Sequence, residues 1–118
     1  MVWNVSFHDE FDIEFTSLSD AVQDELLAHA KVLAQLGPTM GRPRVDTLAG
    51  SRHANMKELR FEADNGVWRV AFAFDPTRSA ILLVAGDKGG LGQKRFYRSL
   101  IARADDRFDA HLKHLKEA

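Results

Sequence analysis

The chain has no cysteine, which excludes disulfide bonds and thiolate chemistry. It also lacks a long hydrophobic run, because the longest one, Ala80 to Ala85, is far too short to cross a bilayer. Its first residues have neither the basic nor the apolar region of a secretory leader. These absences lead us to expect a cytoplasmic protein that does not associate with membranes.

The net charge is only −1 at neutral pH, but the charges are unevenly distributed along the chain. The first 41 residues sum to −6, whereas residues 42–103 sum to +6. A basic middle segment favours an anion-binding surface, although the same block is also compatible with a merely solvated face. With 118 residues, 45% of them hydrophobic and 28% charged, the composition is that of one soluble domain spanning residues 1–118.

Two segments show the three- and four-residue apolar spacing of amphipathic helices. The first runs from Ser17 to Leu36, with Ser19 as its N-cap and Gly37-Pro38 ending it. The second is the last helix, whose apolar stripe comprises Phe96, Leu100, Ile101, Ala104, Phe108, Leu112 and Leu115. Residues 37–55 form a loop that is long for a structureless connector, so we expect it to pack against the sheet or to carry function.

Three strands are predicted between the helices. Lys57–Ala63 and Val67–Asp75 are joined by a tight turn at Asn65-Gly66, and Ala80–Gly86 is apolar on both faces and therefore central. A short strand before residue 8 precedes them, although the phenylalanines of residues 7–15 equally favour an amphipathic turn. The order predicts an α+β fold: a small antiparallel sheet of an N-terminal strand plus a three-strand meander, with an N-terminal and a C-terminal helix over one face.

Two arginines interrupt the apolar strands of the central hairpin. Strict alternation places Arg60 and Arg69 on the same face, opposite the main apolar face. Because burying an unpaired guanidinium is very costly, this face must be polar or bind a ligand. The two alanines that follow Arg69 on its face leave room for an anion such as a phosphate backbone. The alternative is a simple cross-strand ion pair with Glu58 or Glu62, worth roughly 0.2–1 kcal/mol.

A glycine-rich turn and a pair of histidines could be taken for a nucleotide site and a metal site, but the sequence supports neither. The glycine-rich turn of residues 86–92 joins a strand to a helix, but it lacks the spacing of a nucleotide-binding phosphate loop. His111 and His114 lie three positions apart on the last helix, near Asp109, but no third metal ligand is evident. We therefore predict neither a metal site nor a cofactor.

Five motifs follow one another in a specific order. They are Leu36-Gly37-Pro38 with Gly41-Arg42-Pro43; Met56-Lys57-Glu58-Leu59-Arg60; Trp68-Arg69-Val70-Ala71-Phe72; Ile81-Leu82-Leu83-Val84 with Gly86-Asp87-Lys88; and Phe96-Tyr97 with Ala104, Asp105 and Arg107. This ordered set resembles the RelE/HigB-like toxins of type II toxin–antitoxin modules, above all their phage-derived HigB-type branch. The resemblance extends from Gly37 to about Leu115 and implies a RelE-like fold.

The resemblance also implies a function, that of a ribosome-dependent mRNA endonuclease which inhibits translation. In that family a ribose 2′-hydroxyl attacks the adjacent phosphate without a metal. By resemblance, Arg69 contacts the scissile phosphate, Lys88 stabilises the transition state, and Tyr97 acts as base or stacks on a nucleobase. By resemblance Lys57 and Arg60 also fall in a basic patch of the preceding strand. The full predicted set of RNA-binding residues is Lys57, Arg60, Arg52, Lys94, Arg95 and Arg98. The implied partners are mRNA on the ribosome and a cognate antitoxin of the helix-turn-helix type.

Elementary chemistry agrees with these roles and leaves alternatives open. Fixed cations stabilise the negative charge that builds on pentacoordinate phosphorus. Tyr97, with an ordinary pKa near ~10, needs cationic neighbours to act as a base at neutral pH. Lys94, Arg95 and Arg98 are close in sequence, and His53 is an alternative base. Two other functions remain: a non-catalytic toxin of the same fold, of the gyrase-poisoning type, or a degenerate protein that only binds its antitoxin.

Overall fold

The computed structural model describes residues 2–90 and 92–117, and within these the chain forms a five-stranded mixed sheet with helices on both faces. The strands are β1 (Asn4–Phe7), β2 (Val45–Thr47), β3 (Lys57–Ala63), β4 (Gly66–Phe74) and β5 (Ser79–Asp87). The helices are α1 (Asp9–Phe15), α2 (Asp20–Leu36) and α3 (Gln93–Glu117), with a short 3-10 turn at Gly37–Thr39. No helix in these described ranges is long and apolar enough to cross a membrane.

The sheet has the order β1-β5-β4-β3-β2, and the predicted α+β fold with its central meander is confirmed. The prediction of a purely antiparallel sheet is wrong, however, since β1 runs parallel to β5, from Asn4 opposite Ser79 to Phe7 opposite Leu82. Alternation of side chains could not reveal this, because it fixes the face of each residue and says nothing about strand direction.

Local signals set the limits of α2. Ser19 is its N-cap, with the side-chain oxygen accepting a hydrogen bond from the Val22 amide at 3.4 Å. At the other end Gly37 adopts a φ of 55°, and any Cβ there would collide with the indole of Trp3. Only glycine therefore ends the helix in this way. The phenylalanine-rich segment after β1 forms the short helix α1 instead of extending the strand.

The central hairpin follows from its turn. Asp64 and Asn65 both have positive φ, 52° and 61°, which is the backbone of a tight two-residue hairpin loop. Ala63 consequently pairs with Gly66, and the register carries Arg60 directly opposite Arg69. The predicted tight turn is confirmed, and with it the placement of the two arginines side by side.

The sheet is buried on both faces, so the prediction that both helices cover one face is wrong. α1 and α2 pack against one face, where Phe11, Val22, Leu26, Leu33, Leu59, Phe61, Val70, Phe72 and Leu82 form a core. α3 packs against the other, where Phe96, Leu100, Ala104 and Phe108 cover Ala71, Ala73, Ile81 and Leu83. The alanines that follow Arg69 on its face thus admit a helix and do not leave open space.

The loop between α2 and β3 packs against the sheet, as expected from its length. Its residues 45–47 form β2, which pairs with β3 from Val45 opposite Leu59 to Thr47 opposite Lys57. The Arg60 amide also donates to the Arg44 carbonyl oxygen at 2.8 Å. β2 and Arg44 therefore cover the edge of β3 up to Arg60, the first arginine of the hairpin.

Arg107 ties α1 to α3 across β5. The β4–β5 register skips Leu83, which makes Leu83 the extra residue of a β-bulge. Arg107 is 8% exposed and donates to the Leu83 carbonyl oxygen at 2.7 Å. It also donates to both carboxylate oxygens of Glu14, at 2.9 and 2.6 Å. The Arg107 hydrogen bond holds the pKa of Glu14 below its ordinary value.

Replacing Arg107 tests this tie. Arg107→Met keeps the length of the side chain and removes its donors, which leaves the Leu83 carbonyl without this bond. We expect the free energy of unfolding to fall by about 1–3 kcal/mol in urea denaturation. Arg103, half-exposed and 3.0 Å from Glu14, provides the control, and Arg103→Gln should cost less than about 1 kcal/mol. Equal losses would contradict the assignment.

Asp75 organises the turn between β4 and β5. One carboxylate oxygen accepts hydrogen bonds from the Thr77 amide and hydroxyl and from the Ser79 amide, at 2.7–3.1 Å. The other accepts from His111 of α3 at 2.7 Å. Burial alone would raise the pKa of Asp75, but the hydrogen bonds from His111, Thr77 and Ser79 outweigh it, so the pKa lies below its ordinary value.

A depressed pKa in the folded state makes this carboxylate stabilising only while it is ionised. The contribution is fully present above the unfolded pKa of about 4 and is lost as the pH falls through the lower folded value. We therefore expect Asp75→Asn to destabilise the protein most near neutral pH, with the difference from wild type shrinking below about pH 4. Thermal unfolding across pH measures this, with Asp64→Asn in the exposed hairpin turn as control. A pH-independent difference would refute it.

Candidate functional site

A cleft of about 600 Å³ opens between the chain that follows β2, strand β3 and the beginning of α3. Residues 47–50 form one wall, Glu58 and Arg60 of β3 form the floor, and Lys94 and Tyr97 of α3 lie on the opposite wall. Alternation along β3 directs Glu58 and Arg60 to this face, and the helical period places Tyr97 one turn after Gln93, which also lines the cleft. Candidate residues from two separate parts of the chain, Arg60 on β3 and Lys94 and Tyr97 on α3, thus meet here.

Arg69 lies beneath the cleft and is not open to solvent. Its exposed fraction is 8%, because α3 covers its face of the sheet. The Nε atom donates to the Tyr97 hydroxyl at 3.2 Å, and Nη1 donates to the Trp68 carbonyl oxygen at 2.9 Å. Its Nε also lies 3.6 Å from Glu58 Oε1, so the ion pair that the sequence left as an alternative is present.

Glu58 is the centre of the site, a position that the sequence pattern does not predict. Only 4% exposed, it accepts a hydrogen bond from the Tyr97 hydroxyl at 2.8 Å. Its second oxygen, Oε2, lies 3.6 Å from Arg60 Nε. One signal was available in the sequence: Glu58 lies two positions before Arg60 and therefore on the same face of the strand. The turn at Asn65-Gly66 sets the register that places Glu58 opposite the small Ala71, which leaves space for the carboxylate.

The charge balance around Tyr97 opposes a role as base. Burial raises the pKa of its hydroxyl, the Arg69 hydrogen bond lowers it, and the hydrogen bond and negative charge of Glu58 raise it again. The net result is a pKa above the ordinary value for tyrosine. Tyr97 therefore keeps its proton at neutral pH and is suited to donate a hydrogen bond or to stack on a flat group.

Lys88 completes the trio expected to be catalytic. Its Nζ lies 5.9 Å from the centre of the Tyr97 ring, within range of a cation–π contact. Its amide donates to the Val67 carbonyl oxygen at 2.8 Å, which fixes the turn after β5 against β4. The structure thus brings Arg69, Lys88 and Tyr97 together, while their chemical roles stay predictions.

Arg60 is the most accessible cation of the cleft floor. Its side chain is 32% exposed and lies between two carboxylates, 3.6 Å from Glu58 and 3.9 Å from Asp46. Its Nε atom is buried and has no hydrogen-bond partner among the described residues. Together with Lys94 on the opposite wall, Arg60 is the part of the expected RNA-binding set that faces this cleft.

Arg52 and His53 are engaged elsewhere, with the acidic face of α3. Arg52 pairs with Asp109 and lies 3.3 Å from Asp106, while His53 Nε2 lies 2.7 Å from an oxygen of Asp109. Asp109 follows Tyr97 by twelve helical positions, a distance of about 18 Å along the axis. The expectation that His53 is an alternative base beside Tyr97 therefore does not fit the structure, and neither does an RNA contact of Arg52 in the same cleft.

The remaining expected RNA-binding residues point in different directions. Lys57 opens β3 opposite Phe72 and shares the face that α2 covers, so it lies on the other side of the sheet from Arg60. Arg95 lines a separate hollow beside β5. Arg98 is exposed on α3 between these two flanks. The predicted basic set therefore does not form one continuous surface.

The wall formed by residues 47–50 is fastened to α3. Asp105, 3% exposed, accepts hydrogen bonds from the Ser51 hydroxyl and, at 3.0 Å, from the Arg52 amide. The Ser51 oxygen in turn accepts from the His53 amide at 2.9 Å. Among the described residues no group of three His, Asp or Glu is arranged to hold a metal ion. His111, one of the two histidines considered as metal ligands, is hydrogen-bonded to Asp75.

Comparisons of sequence place this chain among known proteins. A family model described as phage derived protein Gp49-like matches residues 13–109. The putative toxin HigB2 of Mycobacterium tuberculosis is 44% identical over 93 residues, which cover 78% of this chain and 46% of that protein. The putative toxin HigB3 of the same organism is 51% identical over 81 residues, 69% of this chain and 68% of that protein. The chain thus spans about half the length of the first relative.

Solved structures show a similar fold. A double mutant of the Escherichia coli toxin RelE in the free state superposes with a TM-score of 0.57 and 11% identity, covering 86% of this chain and 96% of that one. A chain of the archaeal RelE–RelB complex from Pyrococcus horikoshii superposes with a TM-score of 0.55 and 19% identity, covering 77% of this chain and 100% of that one. At these identities the likeness concerns the fold alone.

The chain contains a single tyrosine, so the ionisation of Tyr97 can be followed directly by near-ultraviolet absorbance. Glu58→Gln removes the negative charge that helps to raise the Tyr97 pKa, and the Arg69 guanidinium, which lowers it, stays. We expect the pKa of Tyr97 to fall relative to wild type. Glu62→Gln, the same change at an exposed position of β3, should leave it unchanged; a Tyr97 pKa insensitive to Glu58 would contradict the network described above.

Proposed function

The chain belongs to the Gp49-like family of phage-derived proteins, and from that premise we propose that it is the toxin of a type II toxin–antitoxin module that cuts messenger RNA. The RelE/HigB-like resemblance read from the sequence is confirmed at the level of family and fold. The observation that carries the nuclease proposal is the position of Tyr97, which lines the cleft with Arg60 and Lys94. Tyr97 also contacts the buried Arg69 beneath the cleft and lies beside Lys88.

The proposed reaction is transesterification within the RNA backbone. The ribose 2′-oxygen forms a bond to the adjacent phosphorus, and the bond from phosphorus to the 5′-oxygen of the next nucleotide breaks. The 2′-hydroxyl loses its proton to water, and the departing 5′-oxygen takes up a proton from water, so no net proton is released. The products are a 2′,3′-cyclic phosphate and a free 5′-hydroxyl, and this chemistry does not call for a metal.

The residues of the cleft are suited to the phosphate charge that this reaction builds. Guanidinium and ammonium groups fixed beside a partly dehydrated surface stabilise a pentacoordinate phosphorane more than its ground state. Arg60 in the cleft, Arg69 beneath it and Lys88 beside the Tyr97 ring supply three such cations. Tyr97 keeps its proton, so it serves as a hydrogen-bond donor to a phosphate oxygen or as a platform for an unstacked base, which single-stranded RNA recognition commonly uses.

We propose a cognate antitoxin and mRNA on the ribosome as partners. The RelE of Pyrococcus horikoshii was solved in complex with RelB, and this supports a protein partner for the present chain. By family resemblance the antitoxin carries a helix-turn-helix domain. A segment that fills the cleft beside Arg60 and Lys94 would exclude RNA from the same surface.

One observation favours a second function, that of a toxin that does not cut RNA. Arg69, the expected contact of the scissile phosphate, is 8% exposed and lies 3.6 Å from the buried Glu58. If that ion pair never opens, the cleft is a binding surface only. Such a toxin would stop growth through another target and leave messenger RNA intact.

Induced expression in a bacterial host separates these functions. We expect growth to stop and primer extension on abundant transcripts to show new 5′ ends. Lys88→Ala should reduce cleavage by about 100-fold, the usual cost of one transition-state contact. Lys31→Ala, the same change on the exposed surface of α2, is the control and should cleave as wild type does.

Each other outcome has a defined meaning. Growth arrest without new RNA ends would reject the nuclease in favour of the non-cutting toxin. Unaffected growth at verified expression of folded protein would reject both. Cleavage by purified protein in a translating extract but not on naked mRNA would establish ribosome dependence.

A further inference from the structure

The carboxylate of Glu58 occupies a position in the cleft floor that is otherwise made for an anion. Its Oε1 accepts the Tyr97 hydroxyl hydrogen bond at 2.8 Å and lies 3.6 Å from Arg69 Nε. Its Oε2 lies 3.6 Å from Arg60 Nε. Two guanidinium groups and a hydroxyl donor around one point are the donor set that charge-assisted phosphate binding uses.

The carboxylate fills this donor set incompletely. Both distances of 3.6 Å to the arginines exceed hydrogen-bond length, so these contacts are ion pairs and not hydrogen bonds. Arg60 Nε is buried and has no acceptor among the described residues. A buried guanidinium N–H without a partner is available to donate to an oxygen of a bound anion. A tetrahedral anion has more oxygens, spread more widely, than a carboxylate.

We propose that Glu58 is an internal occupant of a phosphate-binding site made by Arg60, Arg69 and Tyr97, and that a phosphodiester binds by displacing its carboxylate from the two arginines. The inference rests on the proposed function only where it names RNA as the ligand, because inorganic phosphate would meet the same donors. Glu58 itself lines the cleft of about 600 Å³, so the displaced carboxylate can rotate into the open space of the cleft.

The arrangement sets the affinity of the site. An anion must compete with a tethered negative charge that is always present, so free phosphate and stray polyanions bind weakly. A ligand anchored at further points, such as an RNA strand that also contacts Lys94, overcomes the competition through its additional contacts. Glu58 therefore makes the site selective for anions that bring more than one phosphate.

Removing the charge of Glu58 tests the proposal by binding alone. Wild type, Glu58→Gln and Glu62→Gln are titrated calorimetrically with inorganic phosphate and with a 2′-O-methyl oligoribonucleotide, which has no 2′-hydroxyl and cannot be cut. Glu62→Gln is a matched control, because it makes the same change on the same face of β3 at an exposed position. We expect Glu58→Gln to bind phosphate about tenfold more tightly than wild type, and Glu62→Gln to match wild type. Equal or weaker binding by Glu58→Gln would overturn the proposal.

A second measurement needs no variant, in case Glu58→Gln does not fold. In wild-type protein the side-chain carboxyl carbons of Glu58 and Glu62 are followed by NMR while phosphate is added. The resonance of Glu58 should shift on saturation and that of Glu62 should not. Saturable phosphate binding with an unmoved Glu58 resonance would overturn the proposal.

The two proposals fail separately. If Glu58 behaves as expected but the protein makes no new RNA ends, the phosphate site stands and the nuclease function fails. If RNA is cut while neither phosphate experiment responds at Glu58, the internal occupant is rejected and the nuclease function stands.

Discussion

The burial of Arg69 depends on a carboxylate that is buried with it and on a tyrosine hydroxyl that packs beside it. Its guanidinium is 8% exposed beneath α3, and without Glu58 and Tyr97 it would be an uncompensated charge of the kind that costs several kcal/mol. Glu58 comes from the partner strand of the hairpin and Tyr97 from a helix twenty-eight positions further on. The network therefore requires the β3–β4 register and the docking of α3 to be correct together, which links the fold directly to the site.

The small residues beside this network decide how the face is used. Ala71 and Ala73 follow Arg69 on its face of β4, and from the sequence their small size predicts open space for a ligand. In the structure the same lack of bulk lets α3 approach the sheet with Phe96 and Leu100. Alternation reveals which residues share a face, but the layer that covers a face is a tertiary fact that no strand pattern contains.

The features that the sequence predicted depend on local rules, and those it missed depend on distant partners. The cap at Ser19, the end of α2 at Gly37, the hairpin turn and the stripe of α3 need only neighbouring residues to be specified. The parallel pairing of β1 and the engagement of Arg52 by Asp105, fifty-three positions away, have no local signature. The raised pKa of Tyr97 is of the second kind, because Glu58 lies thirty-nine positions before it.

One helix carries both sides of the cleft. Tyr97 and Lys94 are part of α3, and the opposing wall is fastened to the same helix farther along, where Asp105 receives the Ser51 hydroxyl and the Arg52 amide. Thr47, at the start of that wall, pairs with β3, so the wall is anchored to the sheet at one end and to α3 at the other. The backbone of both walls is therefore held in place, and the charged side chains of the floor are the part of the cleft that can rearrange.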